Sequence, residues 1–296
     1  ISSLTLDDAS KIIDEDFIFQ EEEYIKNEVF SLTSILKLLD DNPEIIELNR
    51  SCGPKFNKRF ILQSVPLLKK IQKVEKALII GAGSIGQRHI ENLKRIGINE
   101  IIALRSKKGH YKKLPKNMKV IEVTNWDSAI EKKPDIAIIS NPTSIHLDAV
   151  SKICKHVKGI FIEKPLSNSL ENCQELIDSL DENHVVSFVG HNLMFHPIIQ
   201  NIIKFYEKND VGEIINIQCQ VGQWLPDWHP YENYKDAYYA RKDLGGGVAL
   251  TLIHEIHLAI ELAGKPIRVS GEITEYKKLD LDVDVCSDLM LKHKTG

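Results

Sequence analysis

The sequence predicts an α/β protein: a doubly wound parallel sheet, then a second α/β domain with a largely antiparallel sheet, the whole preceded by a helical extension. Three observations carry this. Short apolar runs at 77–80, 100–104, 135–139, 159–162 and 184–189 alternate with longer stretches between them, which is the rhythm of βαβ units. The first run is followed at once by Gly81-Ala82-Gly83-Ser84-Ile85-Gly86. Near the end, Leu279, Leu281, Val283 and Val285 alternate with Asp280, Asp282 and Asp284, which reads as a half-buried strand with its aspartates in solvent.

The glycine run fits G-x-G-x-x-G. After it, Ile90, Leu93 and Ile96 recur at helical spacing. Strand, glycine turn and helix in that order are the context of a dinucleotide site, the Rossmann arrangement. Gly81 permits the tight turn, Gly83 leaves room for a pyrophosphate, and Gly86 lets the helix pack close. Backbone N–H groups at Ser84 and Ile85 then point at the phosphates, and the helix dipole favours their charge. A glycine-rich turn with no ligand is the plain alternative; the flanking strand and helix argue against it.

The second strand ends in Leu104-Arg105-Ser106-Lys107-Lys108. An NAD site usually carries a carboxylate there, on the ribose hydroxyl. Cations stand in its place, so Arg105 and Ser106 are candidates for a 2′-phosphate, and NADP is favoured over NAD; an exposed basic turn is the alternative. The third run leads into Ser140-Asn141-Pro142-Thr143-Ser144-Ile145-His146. Loops at the carboxyl ends of parallel strands are where such sheets bind ligands. Asn141 and Thr143 are therefore expected to face the cofactor, with His146 beside them at the start of the next helix. The fourth run delivers Glu163-Lys164-Pro165, and the fifth leads to His191-Asn192.

Bulk properties narrow the function classes. The chain has 296 residues, enough for about two domains. A net charge of −4 gives no electrostatic case for nucleic acid. No apolar run approaches the roughly 20 residues that span a bilayer. Five scattered cysteines without C-x-x-C spacing suit free thiols and a cytoplasmic location. Residues 1–75 form an acidic extension, with 13 carboxylates against three lysines in the first 47 residues. Short helices are expected near 35–39 and 65–71, and no catalytic motif is present there.

GAGSIGQRH, NPTSIH, IEKPL, GHNLMFHP and LGGGVALTLIHEIH follow one another in the order and spacing of the Gfo/Idh/MocA family. The resemblance covers about 76–296. It implies a Rossmann domain over 76–195 and a substrate domain over 196–296 that stops short of the family's length. It implies an NAD(P)-dependent oxidoreductase acting on a hydroxyl of a sugar or sugar derivative. The stretch WLPDWHPYENYKDAYYARKDLGGG looks like a branch associated with bacterial surface-sugar biosynthesis.

Under the resemblance, Lys164 lies near the nicotinamide, beside Glu163 and Pro165, where a cis bond would fix the lysine's direction. A lysine at a buried strand end is expected to have a lowered pKa and to serve in proton transfer; a surface lysine in a turn is the alternative. His254 is the family's histidine and the expected proton carrier. Many relatives flank it with carboxylates, where this chain has Thr251 (or Leu250) and His257, and Met194 replaces a common arginine. His254 and His257 are three apart, whereas a zinc pair of the H-E-x-x-H type needs four, so no metal is expected. Asn192, Trp228, His229, Tyr234, Arg241 and His257 are candidate substrate contacts. The aromatics suit sugar faces and the cations suit anionic groups; an ordinary core or interface patch is the alternative for this stretch.

A small sugar-type substrate is the expected partner, and a complete second sheet would pair copies of the chain into a homo-oligomer. A catalytically inactive NAD(P)-binding sensor or assembly subunit is the second reading, favoured by Thr251, His257 and Met194. A third makes residues 1–75 a partner-binding module.

Overall fold

The computed structural model describes residues 74–106, 114–115, 118–207, 212–229 and 232–294. The helices expected near 35–39 and 65–71, together with Lys107 and Lys108, lie outside them. Six parallel strands form the first sheet: β1 (Lys76–Ile80), β2 (Glu100–Leu104), β3 (Ile121–Val123), β4 (Ile136–Ile139), β5 (Gly159–Glu163) and β6 (Val186–Gly190). Their spatial order is β3-β2-β1-β4-β5-β6, so the winding reverses between β1 and β4. That reversal opens a crevice at the carboxyl ends of the two strands, where such sheets take their ligands.

The strands β1, β2, β4 and β5 form because they are apolar on both faces, and helices cover both faces. Leu78, Ile80, Ile102, Ile139, Ile160 and Ile162 point one way. There they meet Ala149, Val150 and Ile153 of α3 (His146–Ile153) and Leu176 and Leu180 of α4 (Cys173–Glu182). Ala77, Ile79, Ile101, Ile136 and Ile138 point the other way, onto Ile90 and Leu93 of α1 (Ser84–Arg95). Each fully buried Ile or Leu contributes about 1.5–3 kcal/mol of transfer free energy. A short helix, α2 (Trp126–Glu131), links β3 to β4; the Asn125 side chain caps it by accepting from the Ser128 N–H.

Asp135 ties the amino ends of three strands together. Its carboxylate accepts from the backbone N–H groups of Glu75 and Lys76 at 3.0 and 3.1 Å and from the Lys158 ammonium at 2.9 Å. Burial pushes its pKa up, but Lys158 and the two N–H groups outweigh this and hold it low.

The later chain is looser. It comprises α5 (Pro197–Glu207), the short turns α6 (Leu225–Trp228) and α7 (Val248–Thr251), α8 (His254–Ala263), and strands β7 (Arg268–Thr274) and β8 (Cys286–Lys292). The two strands pair antiparallel, from Arg268 against Lys292 to Thr274 against Cys286.

The alternation at 279–285 does not form a strand. Lys277–Leu279 is a 3-10 turn, and Asp280 reverses the backbone at φ 53°. Leu279 and Val283 are buried all the same, so the period reports burial from an irregular segment. The strand begins at Cys286, and its partner β7 lies over residues with no clean alternation. Of the three aspartates, Asp280 and Asp282 are exposed. Asp284 is half-buried and accepts from the Ala249 N–H at 2.9 Å, capping α7.

Candidate active site

The glycine turn closes the carboxyl end of β1. Gly81 has φ 88°, and a Cβ there would lie 2.6 Å from the Asn141 nitrogen, so only glycine fits. A Cβ on Gly86 would run into the Gly81 carbonyl oxygen, whereas nothing lies within 4 Å of the place a Cβ on Gly83 would take. Helix and strand thus touch at Gly86, and space stands open at Gly83. Helix α1 starts beside that space with no side-chain cap and no carboxylate in its first turn. Its first N–H groups, including those of Ser84 and Ile85, are left for a ligand, as an anion site requires.

At the end of β2, Arg105 is 4% exposed and its Nη1 donates to Glu122 Oε2 at 2.7 Å. The sequence offers Arg105 to a 2′-phosphate; in the structure β3, too short to read in the sequence, brings it a carboxylate.

The β4 loop holds three expected cofactor residues in three different ways. Asn141 carries a buried Oδ1 with no hydrogen-bond partner, an acceptor of the kind a bound dinucleotide would satisfy. Thr143 is buried, and a Cβ on Gly245 would lie 2.9 Å from its Cβ, so it packs against the later glycine turn. His146 is fully buried, with Nδ1 2.9 Å from the Pro165 oxygen and Nε2 2.9 Å from the Asn141 oxygen. Both ring nitrogens face backbone carbonyls, so His146 braces the site from behind. The reason is positional: it opens α3, whose inner face is core.

Next along the sheet, β5 delivers Glu163 and Lys164. Glu163 Oε1 lies 2.7 Å from Nε2 of His89, a fully buried residue of α1. Burial raises the Glu163 pKa, but His89 and Lys164 outweigh it and hold the carboxyl below its ordinary value. The Lys164–Pro165 bond is cis. Lys164 Nζ crosses to the later chain and donates to the Thr251 carbonyl at 2.6 Å. Burial lowers its pKa, with Glu163 and Glu255 opposing. Thr251 is itself buried, its hydroxyl without a partner.

Three histidines gather beside this lysine. His254 opens α8, His257 follows at helical spacing, and His191 comes from the end of β6. The rings of His191 and His257 stack at 3.7 Å with planes 3° apart, and His254 meets His191 edge-on at 6.3 Å. Burial lowers all three pKa values. His191 falls to about 3, helped by His257, His254 and Lys164. His254 falls to about 4, helped by Lys164. Near neutral pH the three rings are therefore uncharged. Nδ1 of His191 and Nδ1 of His254 are buried without partners. Nε2 of His257 lies 3.5 Å from Glu261. Among the described residues no group of three His, Cys, Asp or Glu is placed to hold a metal ion.

No motif marks the part His191 plays. Its only signal was a place at the end of an apolar run, and its stacking partner is 66 positions away. The other expected substrate residues are dispersed. Trp228 stacks on His229 at 5.2 Å and packs against Tyr239 at 4.8 Å. Trp228 and Tyr239 line a cavity of about 430 Å³ that also reaches Thr251. Tyr234 donates to the Leu279 oxygen at 3.4 Å, Arg241 pairs with Asp243 at the surface, and Asn192 is exposed. Neither Tyr234 nor Arg241 lines that cavity.

A family model described as "Oxidoreductase family, NAD-binding Rossmann fold" matches residues 76–191, and one for the GFO/IDH/MocA C-terminal domain matches residues 199–296. The chain belongs to the Gfo/Idh/MocA family. Its first sheet is that family's NAD-binding Rossmann domain, and its last two strands lie in the family's C-terminal domain.

Among curated Gfo/Idh/MocA relatives, the 2,7-anhydro-N-acetylneuraminate hydratase of Escherichia coli (strain K12) is 25% identical over 155 residues, which are 51% of this chain and 40% of that one. The chain thus spans about two fifths of that relative's length. Among solved structures, myo-inositol 2-dehydrogenase from Lactobacillus plantarum matches with a TM-score of 0.65 at 20% identity, covering 75% of this chain and 67% of that one. The WlbA dehydrogenase from Bordetella pertussis, in complex with NADH and UDP-GlcNAcA, matches at 0.63 and 14% identity, covering 76% and 68%. At these identities the structures show the Gfo/Idh/MocA fold.

Proposed function

We propose that the chain is a nicotinamide-dependent oxidoreductase that interconverts a hydroxyl and a carbonyl on a sugar or sugar derivative, with Lys164 and His254 handling the proton. The observation that carries this reading is the bond from Lys164 to Thr251. It brings the amine at the end of β5 onto the turn that precedes His254, beside the crevice between β1 and β4. The residues fit a dinucleotide: the open space at Gly83, the uncapped start of α1 and the unpartnered Oδ1 of Asn141. Glu163 and Lys164 flank the place of its nicotinamide end.

The nicotinamide would supply the hydride chemistry, and the proton is left to the protein. The Lys164 ammonium donates to the substrate oxygen and steadies its negative charge. His254, uncharged near neutral pH, accepts the hydroxyl proton in the oxidising direction. The names of the related inositol and nucleotide-sugar enzymes support a polyhydroxylated substrate, and the cavity carrying Trp228 supplies an aromatic wall for it. The pairing of Arg105 with Glu122 argues for NAD(H) over the NADP expected from the sequence. Described cysteines that are all free thiols support a reducing, cytoplasmic setting. The division near residue 195, and pairing of copies through the second sheet, belong to the same reading.

The test is a panel of polyols, sugars and nucleotide sugars, scored by nicotinamide absorbance beside a direct cofactor-binding titration. Turnover on a polyhydroxylated compound is the expected result. Binding without turnover across the panel selects the sensor reading, and no binding overturns both.

A further inference from the structure

We propose that Glu122 decides between NAD(H) and NADP(H), acting on the ribose end of the cofactor directly and through Arg105. This rests on the dinucleotide reading above. The Gly81 N–H donates to the Leu104 oxygen at 3.1 Å, so the end of β2 lies against the glycine turn. Arg105 and Ser106 therefore border the place where the adenosine ribose sits in this sheet order. The usual carboxylate at the end of β2 is missing. In β3, Glu122 pairs with Ala103. Side chains alternate along strands, so Glu122, Ala103 and Arg105 share one face of the sheet.

From there the Glu122 carboxylate reaches Arg105 Nη1 at 2.7 Å, while its own side chain stays 36% exposed. The Arg105 side chain is nearly sealed, at 4%. A carboxylate has acceptor capacity beyond one guanidinium bond, so Glu122 can take a ribose 2′-hydroxyl and keep Arg105. A 2′-phosphate meets the opposite situation. The guanidinium it would claim is nearly sealed and already held at Nη1 by Glu122, and beside that pair the phosphate faces a like charge. The carboxylate that the fingerprint places on β2 is thus supplied by the neighbouring strand, 17 positions after the arginine it neutralises.

The experiment measures dissociation constants of NADH, NADPH and adenosine 2′,5′-bisphosphate for the wild-type chain, Glu122→Gln and the double variant Arg105→Ala/Glu122→Gln. The wild type should bind NADH about tenfold or more tightly than NADPH. Glu122→Gln should tighten NADPH and the bisphosphate by about tenfold, with NADH changed by less than about threefold, and the double variant should lose that gain. Glu122→Ser repeats the test should the glutamine variant fold poorly. A wild type that prefers NADPH, or a NADPH:NADH ratio unmoved in both single variants, overturns the proposal. Failure of the wild type to bind either dinucleotide would instead defeat the cofactor reading beneath it.

Discussion

Lys164 and Thr251 are joined by a hydrogen bond of 2.6 Å between an ammonium and a backbone carbonyl. The two residues are 87 positions apart and belong to different family domains. The acceptor is main chain, so the contact survives whatever side chain occupies position 251. Threonine in place of a carboxylate therefore leaves the lysine anchored, and four consequences of the geometry can be measured.

Replacing Lys164 with alanine should lower kcat by roughly 10²–10⁴-fold, the range for losing a positioned proton donor. Cofactor affinity should change by only a few-fold, because the proposed phosphate site is the start of α1, not Lys164. Steady-state rates beside a binding titration separate the two effects; a variant with kcat intact refutes the role.

His254 should set the acid limb of the rate profile. Burial and Lys164 hold its pKa at about 4, so kcat/KM in the oxidising direction should fall only as pH drops toward that value. In His254→Asn the limb should disappear and the plateau should drop. A limb that persists in the variant assigns the proton to another group.

The two glycines of the turn should respond differently to alanine. Gly86→Ala forces a methyl against the Gly81 carbonyl and should cost about 1–3 kcal/mol or more of stability. Gly83→Ala meets no protein atom; its melting temperature should stay near wild type while dinucleotide affinity falls. Thermal unfolding with and without NADH distinguishes them, and equal destabilisation by both would contradict the open space at Gly83.

Acid should weaken the folded chain earlier than carboxylates alone would bring about. His191 and His254 take up protons near pH 3 and 4 when folded, against about 6.5 when unfolded. The unfolded chain binds more protons in that window. Their contribution is complete above about pH 6.5 and is lost as pH falls toward 4, by up to ~1.4 kcal/mol per pH unit for each ring, less where solvent reaches it. Denaturant titrations at several pH values should show this slope, and His191→Phe should reduce it.

Most of the Rossmann sheet was legible because its strands are continuous apolar runs with glycine or proline after them, as at Gly81 and Pro165. β3 was not, because three residues, the first two of them exposed, carry no period, and with it went the partner of Arg105. The segment at 279–285 misled because a looped chain buried at every few residues can mimic alternation. In the site, Lys164 and His254 could be found from motifs, since each belongs to a contiguous pattern. The stacking of His191 on His257, and the burial of His89 under Glu163, depend on contacts between distant elements that no local spacing encodes.

His146 shows how the crevice keeps its shape. One imidazole lies between the Asn141 and Pro165 carbonyls and, as a neutral ring, donates to one of them at a time, so the segments leaving β4 and β5 pack around a shared side chain. The loop that borders the open space beside Gly83 is thereby packed onto the strand end that delivers Lys164.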